Sequence, residues 1–195
     1  MRASRLALST LAIVFVTTTA STAGAQDTGR PAGGARGGRG MMMQRMKDDL
    51  VSDLERQRKN LLDYVNVAPD SMMRFSATPG VRTYAQQIHH AASVVPYLVG
   101  TGLGATLPAE PTDTARLFSN KAALRDYVNA SYDYAVKTVR DAQPQAFMAE
   151  KTIFGMTRNG TRWVHGALEH ATWTLGQTVP YLRMNKVTPP GYLPF

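Results

Sequence analysis

Histidine is the residue type in this chain best suited to bind a metal ion or to move a proton. The sequence contains 4 histidines and no cysteine. Disulfides, thiol nucleophiles and thiolate ligands are therefore excluded, and any metal must be held by histidine and carboxylate side chains. A lone histidine beside an apolar stripe is more often a hydrogen-bonded core residue than a ligand. Which of these two interpretations applies to a histidine depends on where its helix places the side chain.

The segment from Thr161 to Asn185 is predicted to form the last and central helix. Its apolar positions recur at intervals of three and four residues, which aligns them on one helical face. These positions are Val164, Leu168, Ala171, Leu175, Thr178 and Leu182. We expect one continuous core helix that is kinked at Pro180, because proline removes a backbone hydrogen bond.

The two histidines of this helix do not share a face. On an ideal wheel, His170 lies on the same flank as Thr174 and Gln177, where polar groups would face a neighbouring helix. His165 and Glu169 fall on the other flank, one turn apart, and can pair with each other or with water. His170 is therefore the histidine of this helix that can contribute to a site between helices.

A second amphipathic helix is predicted from about Val81, with Pro96 inside it. Its buried stripe should be Tyr84, Ile88, Ala91, Val95 and Leu98. The adjacent residues His89 and His90 lie about 100° apart on such a helix, so only one of them can face fully inward. His90 shares its flank with Gln87 and is the better candidate for a buried site.

Two further helices complete the predicted fold. Helix one should run from about Met46 to Val67 and bury Leu50, Leu54, Leu61 and Val65. Helix three should follow an N-cap at Ser119 and reach about Gln143, with Leu124, Val128, Tyr134, Ala135 and Val139 inward. Residues 147–158 are open between a strand-like crossing and a helical turn. Without a convincing strand, the sequence predicts an all-α four-helix bundle with long connections, across which the tail from Val187 packs back.

The N-terminus has the three parts of a bacterial secretory signal. Basic residues, an apolar run from Leu6 to Val16 and a small-residue site ending at Ala25 follow one another. We expect cleavage after Ala25 and a periplasmic or secreted protein without a transmembrane segment. The predicted organisation is a signal peptide (1–25), a flexible Gly/Arg-rich linker (26–45) and a helical bundle (46–195).

The positive charge does not indicate a nucleic-acid-binding protein. Of the formal net charge of +8, only +3 belongs to residues 46–195, because the rest lies in the signal and the linker. The GGARGGRG segment is similar to RNA-binding Arg-Gly segments, but a solvated linker fits an exported chain better. The cluster Met41, Met42, Met43 and Met46 has the chemistry to bind copper(I), and a frayed helix start is the simpler interpretation.

Three motifs resemble the DinB-like (YfiT-like) superfamily of metal-binding four-helix bundles. They are VRTYAQQIHHAA at 81–92, LEH at 168–170, and Gly176-Gln177 followed by Tyr181-Leu-Arg183. The resemblance spans roughly residues 50–183. It implies a divalent metal held by a histidine of helix two and a His-x-x-x-His pair of the last helix. Characterised members are metal-dependent thiol transferases and isomerases.

The resemblance assigns His90 and His170 as metal ligands, but it leaves the site incomplete. Thr174 stands where the second histidine of the pair should be. Threonine is not a strong neutral ligand, so two imidazoles would hold Zn or Ni weakly. A third donor would have to be Gln177, Glu169 after a helix rotation, a water, another helix, or His89 swinging inward.

Two functions therefore stay open. The chain is expected to be an exported module that binds an unknown small molecule or an envelope partner, with a degenerate metal site. The alternative is a divalent-metal-dependent enzyme of transferase or hydrolase type. A homodimer is a further alternative for the partner, and neither a substrate nor catalytic residues follow from the sequence.

Overall fold

The computed structural model describes residues 33–194, with side chains from residue 38 onward. The expected signal peptide and cleavage site lie outside the described residues. The long helices are α1 (Gly33–Val67), α2 (Tyr84–Leu103), α4 (Lys121–Asp141) and α6 (Gly160–Gly176). The short elements are a 3-10 turn (Asp70–Met72), α3 (Thr114–Leu117), α5 (Pro144–Met148), β1 (Glu150–Ile153), β2 (Met156–Asn159) and α7 (Val179–Met184).

Helix α1 is longer than predicted. It begins at Gly33 rather than near Met46, so the predicted linker overlaps the helix over residues 33–45. The expected start was wrong because glycine-rich composition was interpreted as a break, although a helix tolerates glycine at a modest energetic cost. The predicted core positions are confirmed: Leu50, Leu54, Leu61 and Val65 are all buried.

Helix α2 is closed by specific residues at both ends. Thr83 and Gln86 form a reciprocal capping box, which sets the start at Tyr84, three residues after the predicted one. Gly104 adopts a left-handed φ of 75° and ends the helix. The predicted stripe from Tyr84 to Leu98 is buried, and Pro96 lies inside the helix as expected.

Helix α4 differs from its prediction at the cap and at one core position. Asn120, not Ser119, is the N-cap, and its side chain accepts from the Ala123 amide. Tyr132 is fully buried, whereas the predicted core residue Tyr134 is only half-buried and donates its hydroxyl to Thr106 O. The long tyrosine side chain lets Tyr134 reach a neighbouring loop from the edge of the apolar face.

Residues 144–159 contain both structures that the sequence left open for this region. The short helix α5 is followed by an antiparallel hairpin that pairs Glu150 with Asn159 and Ile153 with Met156. Phe154 and Gly155 form its turn with φ values of 52° and 75°. The hairpin corresponds to the strand-like crossing that the sequence left open, and its two-residue turn allows pairing that depends little on side-chain burial.

The predicted last helix is two helices. α6 ends at Gly176, and α7 restarts at Val179 with Pro180 in its first turn. Proline is favoured at this position because a first-turn amide has no intrahelical partner. Pro180 therefore begins a helix and does not kink one. The predicted stripe is otherwise confirmed, with Val164, Ala171, Leu175, Thr178 and Leu182 buried and Leu168 half-buried.

The four long helices form a closed bundle. α2 packs most extensively against α6 and then against α4, while α1 packs mainly against α4 and to a lesser extent against α6. The C-terminal segment returns to α1, where Asn60 exchanges hydrogen bonds with the backbone of Leu193. The prediction of an all-α four-helix bundle is confirmed. Within residues 33–194, no helix combines the length and the apolar character needed to cross a bilayer.

Candidate functional site

The candidate site lies between α2 and α6, where His90 and His170 meet. Their ring centroids are 4.9 Å apart and the ring planes are nearly perpendicular, at 82°. Both side chains are half-buried. The structure therefore brings together the two histidines that helical periodicity placed on facing flanks, and metal binding by the pair stays a prediction.

Polar contacts on one side of the histidines link the beginning of α2 and the residue before it to the end of α6 and to α7. The Gln87 side-chain nitrogen donates to Gln177 Oε1 over 2.7 Å and approaches the Thr174 carbonyl at 3.5 Å. The Tyr181 hydroxyl donates to the Arg82 carbonyl over 2.9 Å. The flank of the last helix thus faces α2 as predicted, and Gln177 is engaged in a contact between helices.

Small residues let the same two helices approach closely away from the histidines. A Cβ added at Gly102 would lie 2.5 Å from the Trp163 Cβ, which is closer than two carbon atoms can pack. Trp163 is buried, and its indole nitrogen donates to the Lys151 carbonyl of the hairpin. This close packing fixes the spacing of α2 and α6 at one end and so positions His90 relative to His170.

Two polar atoms at the site have no hydrogen-bond partner within the part of the chain that the structure describes. They are Nδ1 of His170 and Oγ1 of Thr174, both buried. Thr174 is 1% exposed and stands one turn after His170, at the position where the resemblance requires a histidine. An unsatisfied buried polar group costs free energy, so these atoms mark a place where a ligand would find unused hydrogen-bonding or coordinating capacity.

Both histidines are held in their neutral form. Desolvation by burial, together with the charge of Arg82 and the neighbouring His170 and His89, lowers the pKa of His90 to about 4. Burial and the Arg82 charge also lower the pKa of His170. A neutral imidazole has a free lone pair at physiological pH, which is the form that accepts a hydrogen bond or binds a metal.

His89 does not belong to this site. Its ring stacks on Tyr127 at 4.7 Å and meets the edge of Phe118 at 5.3 Å, so it faces α4. Burial lowers the pKa of His89, against the opposing effect of Glu110. The expectation that only one of the two adjacent histidines can face the last helix agrees with this arrangement, and His89 is not placed to act as a third ligand.

Two residues of the site were not recognised from the sequence. Arg82 precedes the first turn of α2, where helical periodicity says nothing about direction. Trp173 is 68% exposed, and its ring lies 6.3 Å from that of His170. The sequence signal for this arrangement is that Trp173 falls outside the apolar stripe on the helical wheel.

The donor set does not fit a complete three-ligand metal site. Among residues 33–194, no group of three or more His, Cys, Asp or Glu side chains is placed to hold a metal ion. Glu169 is exposed, and the Gln177 oxygen already accepts from Gln87. Among the described residues this leaves the two imidazoles and, one turn after His170, the unpartnered Thr174 hydroxyl.

Comparison with known proteins agrees with this architecture. A DinB-like protein from Bacillus cereus ATCC 10987, whose crystal structure was determined at 2.01 Å resolution, is similar to this chain with a TM-score of 0.65. The similarity covers 75% of this chain and 97% of that chain at 16% sequence identity, and at this identity it shows the fold alone. No curated protein matches the chain.

The sequence itself carries the family signal across most of the bundle. Residues 53–177 match the DinB superfamily, a range that runs from α1 to the residue after α6 and includes both His90 and His170. Since this range covers more than half of the chain, and the helices it spans have the fold of a DinB-like protein, the chain belongs to the DinB superfamily.

Proposed function

We propose that the protein is an exported binding module in which the His90–His170 pair takes a small polar ligand at a degenerate metal site. The observation that carries the proposal is Thr174. Its side chain stands where a third imidazole would complete the ligand set, and its buried hydroxyl has no partner. A site that offers two neutral imidazoles and one hydroxyl can bind a ligand by hydrogen bonds, but it holds Zn or Ni weakly.

The alternative is a divalent-metal-dependent enzyme of transferase or hydrolase type. The lowered pKa of His90 and His170 favours it, because neutral imidazoles are the form that coordinates metal. A bound ion would act as a Lewis acid on a substrate. The binding module is preferred because the described residues supply no third strong ligand and no carboxylate beside the pair to act as a general base.

The substitution Thr174→His tests the proposal directly. The wild-type protein is expected to retain well under one equivalent of Zn or Ni after dialysis. The variant should retain about one equivalent, and the metal should raise its melting temperature, because a ligand that binds only the folded state stabilises it. Met184→His is the matched control, since it adds an imidazole at a side chain that is 57% exposed on α7. Elemental analysis and thermal melts of all three proteins give the answer.

Two results would contradict the proposal. One equivalent of metal in the wild type would mean that another donor completes the site, and would favour the enzyme. No gain in Thr174→His, with an intact far-UV spectrum, would mean that the lone pairs of His90 and His170 do not converge on one point.

A further inference from the structure

Helix α1 extends beyond the packed end of the bundle. Residues 38–42 are exposed, and a Cβ added at Gly38 or Gly40 would have no neighbour within 4 Å. Packing begins further along the helix, where Lys47 Nζ donates to the Arg140 carbonyl over 2.9 Å and lies 5.8 Å from the centre of the Phe147 ring. The N-terminal part of α1 is thus joined to the bundle through the contacts that Lys47 makes near α5.

An apolar cleft lies between this part of α1 and α5. Its volume is about 730 Å³, within the range of 300 to 1,000 Å³ typical of small-molecule sites. Met43 from α1 and Met148 from α5 line it, with Pro144 and Ala149 adding apolar surface. Arg39 is the one charged residue among the described residues that line it, and none of those is acidic.

This combination selects a particular chemistry. Methionine side chains are flexible and polarisable, so they adapt to a flexible hydrocarbon chain. A single guanidinium at the cleft is suited to a carboxylate, which it can bind with two parallel hydrogen bonds. The same positive charge disfavours copper(I), the other ligand that methionine sulfur would suggest.

We propose that this cleft binds a long-chain carboxylate of the fatty-acid type. The acyl chain lies between Met43 and Met148, and the carboxylate pairs with Arg39. The site goes beyond the histidine pair and does not depend on it. It also gives a role to Met43 of the methionine cluster and to Arg39 of the Gly/Arg-rich segment, which the histidine site does not use.

A dansyl-labelled undecanoic acid is the probe for this site, titrated into the mature protein and followed by its fluorescence. We expect saturable binding with one site per chain. Arg39→Gln should weaken binding about tenfold or more, because a hydrogen-bonded charge pair contributes about 1.5 to 3 kcal/mol. Met148→Gln should also weaken it several-fold. Both side chains are exposed, Met148 at 68%, so the fold and the far-UV spectrum should be unchanged.

The controls keep the same chemistry outside the cleft. Arg45→Gln and Met184→Gln change an exposed arginine of α1 and an exposed methionine of α7, and both should bind the probe as the wild type does. The methyl ester of the probe should bind to the wild type at least about tenfold more weakly than the acid does. The ester and the acid should bind equally well to Arg39→Gln.

Several results would overturn the proposal. Equal binding of ester and acid to the wild type would show that Arg39 does not bind the carboxylate. Unchanged binding in both Arg39→Gln and Met148→Gln would show that the probe does not bind in the cleft. Sedimentation that showed a dimer displaced by the probe, or lost in Met148→Gln, would identify a second copy of the chain as the occupant. Metal retention by Thr174→His is measured separately, so failure here is distinguishable from failure at the histidine pair.

Discussion

Thr174 and Thr172 lie two residues apart on α6, yet their hydroxyls have opposite surroundings. The Thr172 hydroxyl donates to Gln57 Oε1 over 3.1 Å and so satisfies the amide oxygen of a side chain that is 1% exposed. The Thr174 hydroxyl is buried one turn after His170 and has no partner among the described residues. A core that leaves one hydroxyl unsatisfied beside an imidazole loses stability there, which is typical of residues kept for binding.

Thr174→Val is therefore expected to raise the free energy of unfolding, by about 1 kcal/mol, because the methyl group fills the same space without a buried unpaired hydroxyl. Thr172→Val, its control, should lower the free energy of unfolding by about 1 kcal/mol, since Gln57 would lose its donor. Urea denaturation of both variants measures the difference. A loss of stability in both would mean that the Thr174 hydroxyl has a bonding partner in solution.

Between the elements, the contact of α2 with α6 depends on where glycines stand. Gly102 on α2 faces the Trp163 Cβ, and Gly160 at the start of α6 faces the Gly102 carbonyl, which would lie 3.1 Å from an added Cβ. Gly166, inside α6, has no atom within 4 Å of an added Cβ. The first two glycines set the spacing of the helices, and the third does not.

The alanine substitutions at two of these glycines should have opposite signs. Gly102→Ala is expected to destabilise the protein by about 1 to 3 kcal/mol, because the Cβ meets a rigid part of Trp163 and a helix must shift. Gly166→Ala should stabilise it by about 0.5 to 1 kcal/mol, because it improves helix propensity at an open position. Chemical denaturation compares the two. Stabilisation by Gly102→Ala would show that α2 and α6 leave room for a methyl group between Gly102 and Trp163.

At the scale of the whole molecule, the proposed export determines whether the protein that meets a ligand still carries residues 1–25. The signal features of residues 1–25 predict a mature protein that begins at Gln26. Mass spectrometry of the protein recovered from a periplasmic fraction should find this N-terminus. A product that retains Met1 in the membrane fraction would contradict export of a free protein and would leave the cleft at α1 next to a lipid surface.

Local patterns were sufficient for the core of α1 and α2 and for most of the core of α4 and α6. The stripes from Leu50 to Val65 and from Tyr84 to Leu98 follow from spacing alone, because apolar residues three and four apart share a face in any helix. The direction of His90 and of His170 followed in the same way. The family motifs, which include both residues, were also readable as sequence.

The ends of the helices and the break between α6 and α7 were less predictable. They depend on which of several competing local structures is stabilised by contacts with other elements. The hairpin at 150–159 has exposed side chains at most positions, and its indole contact comes from Trp163 on another element. The end of α6 at Gly176 and the new start at Val179 also depend on surroundings, since Tyr181 is held by the Arg82 carbonyl far away in sequence.

The sequence by itself determined the helical stripes, the family and the flanks on which the histidines lie. Only the tertiary structure decided that the two rings come within 4.9 Å, that His89 turns to Tyr127 instead, and that a cleft opens beside α5. The physical reason is the distance along the chain over which each interaction acts. Periodicity constrains neighbours within a few turns of one helix, whereas the distance between helices is set by small residues, such as Gly102, whose contacts lie about sixty residues away in the chain.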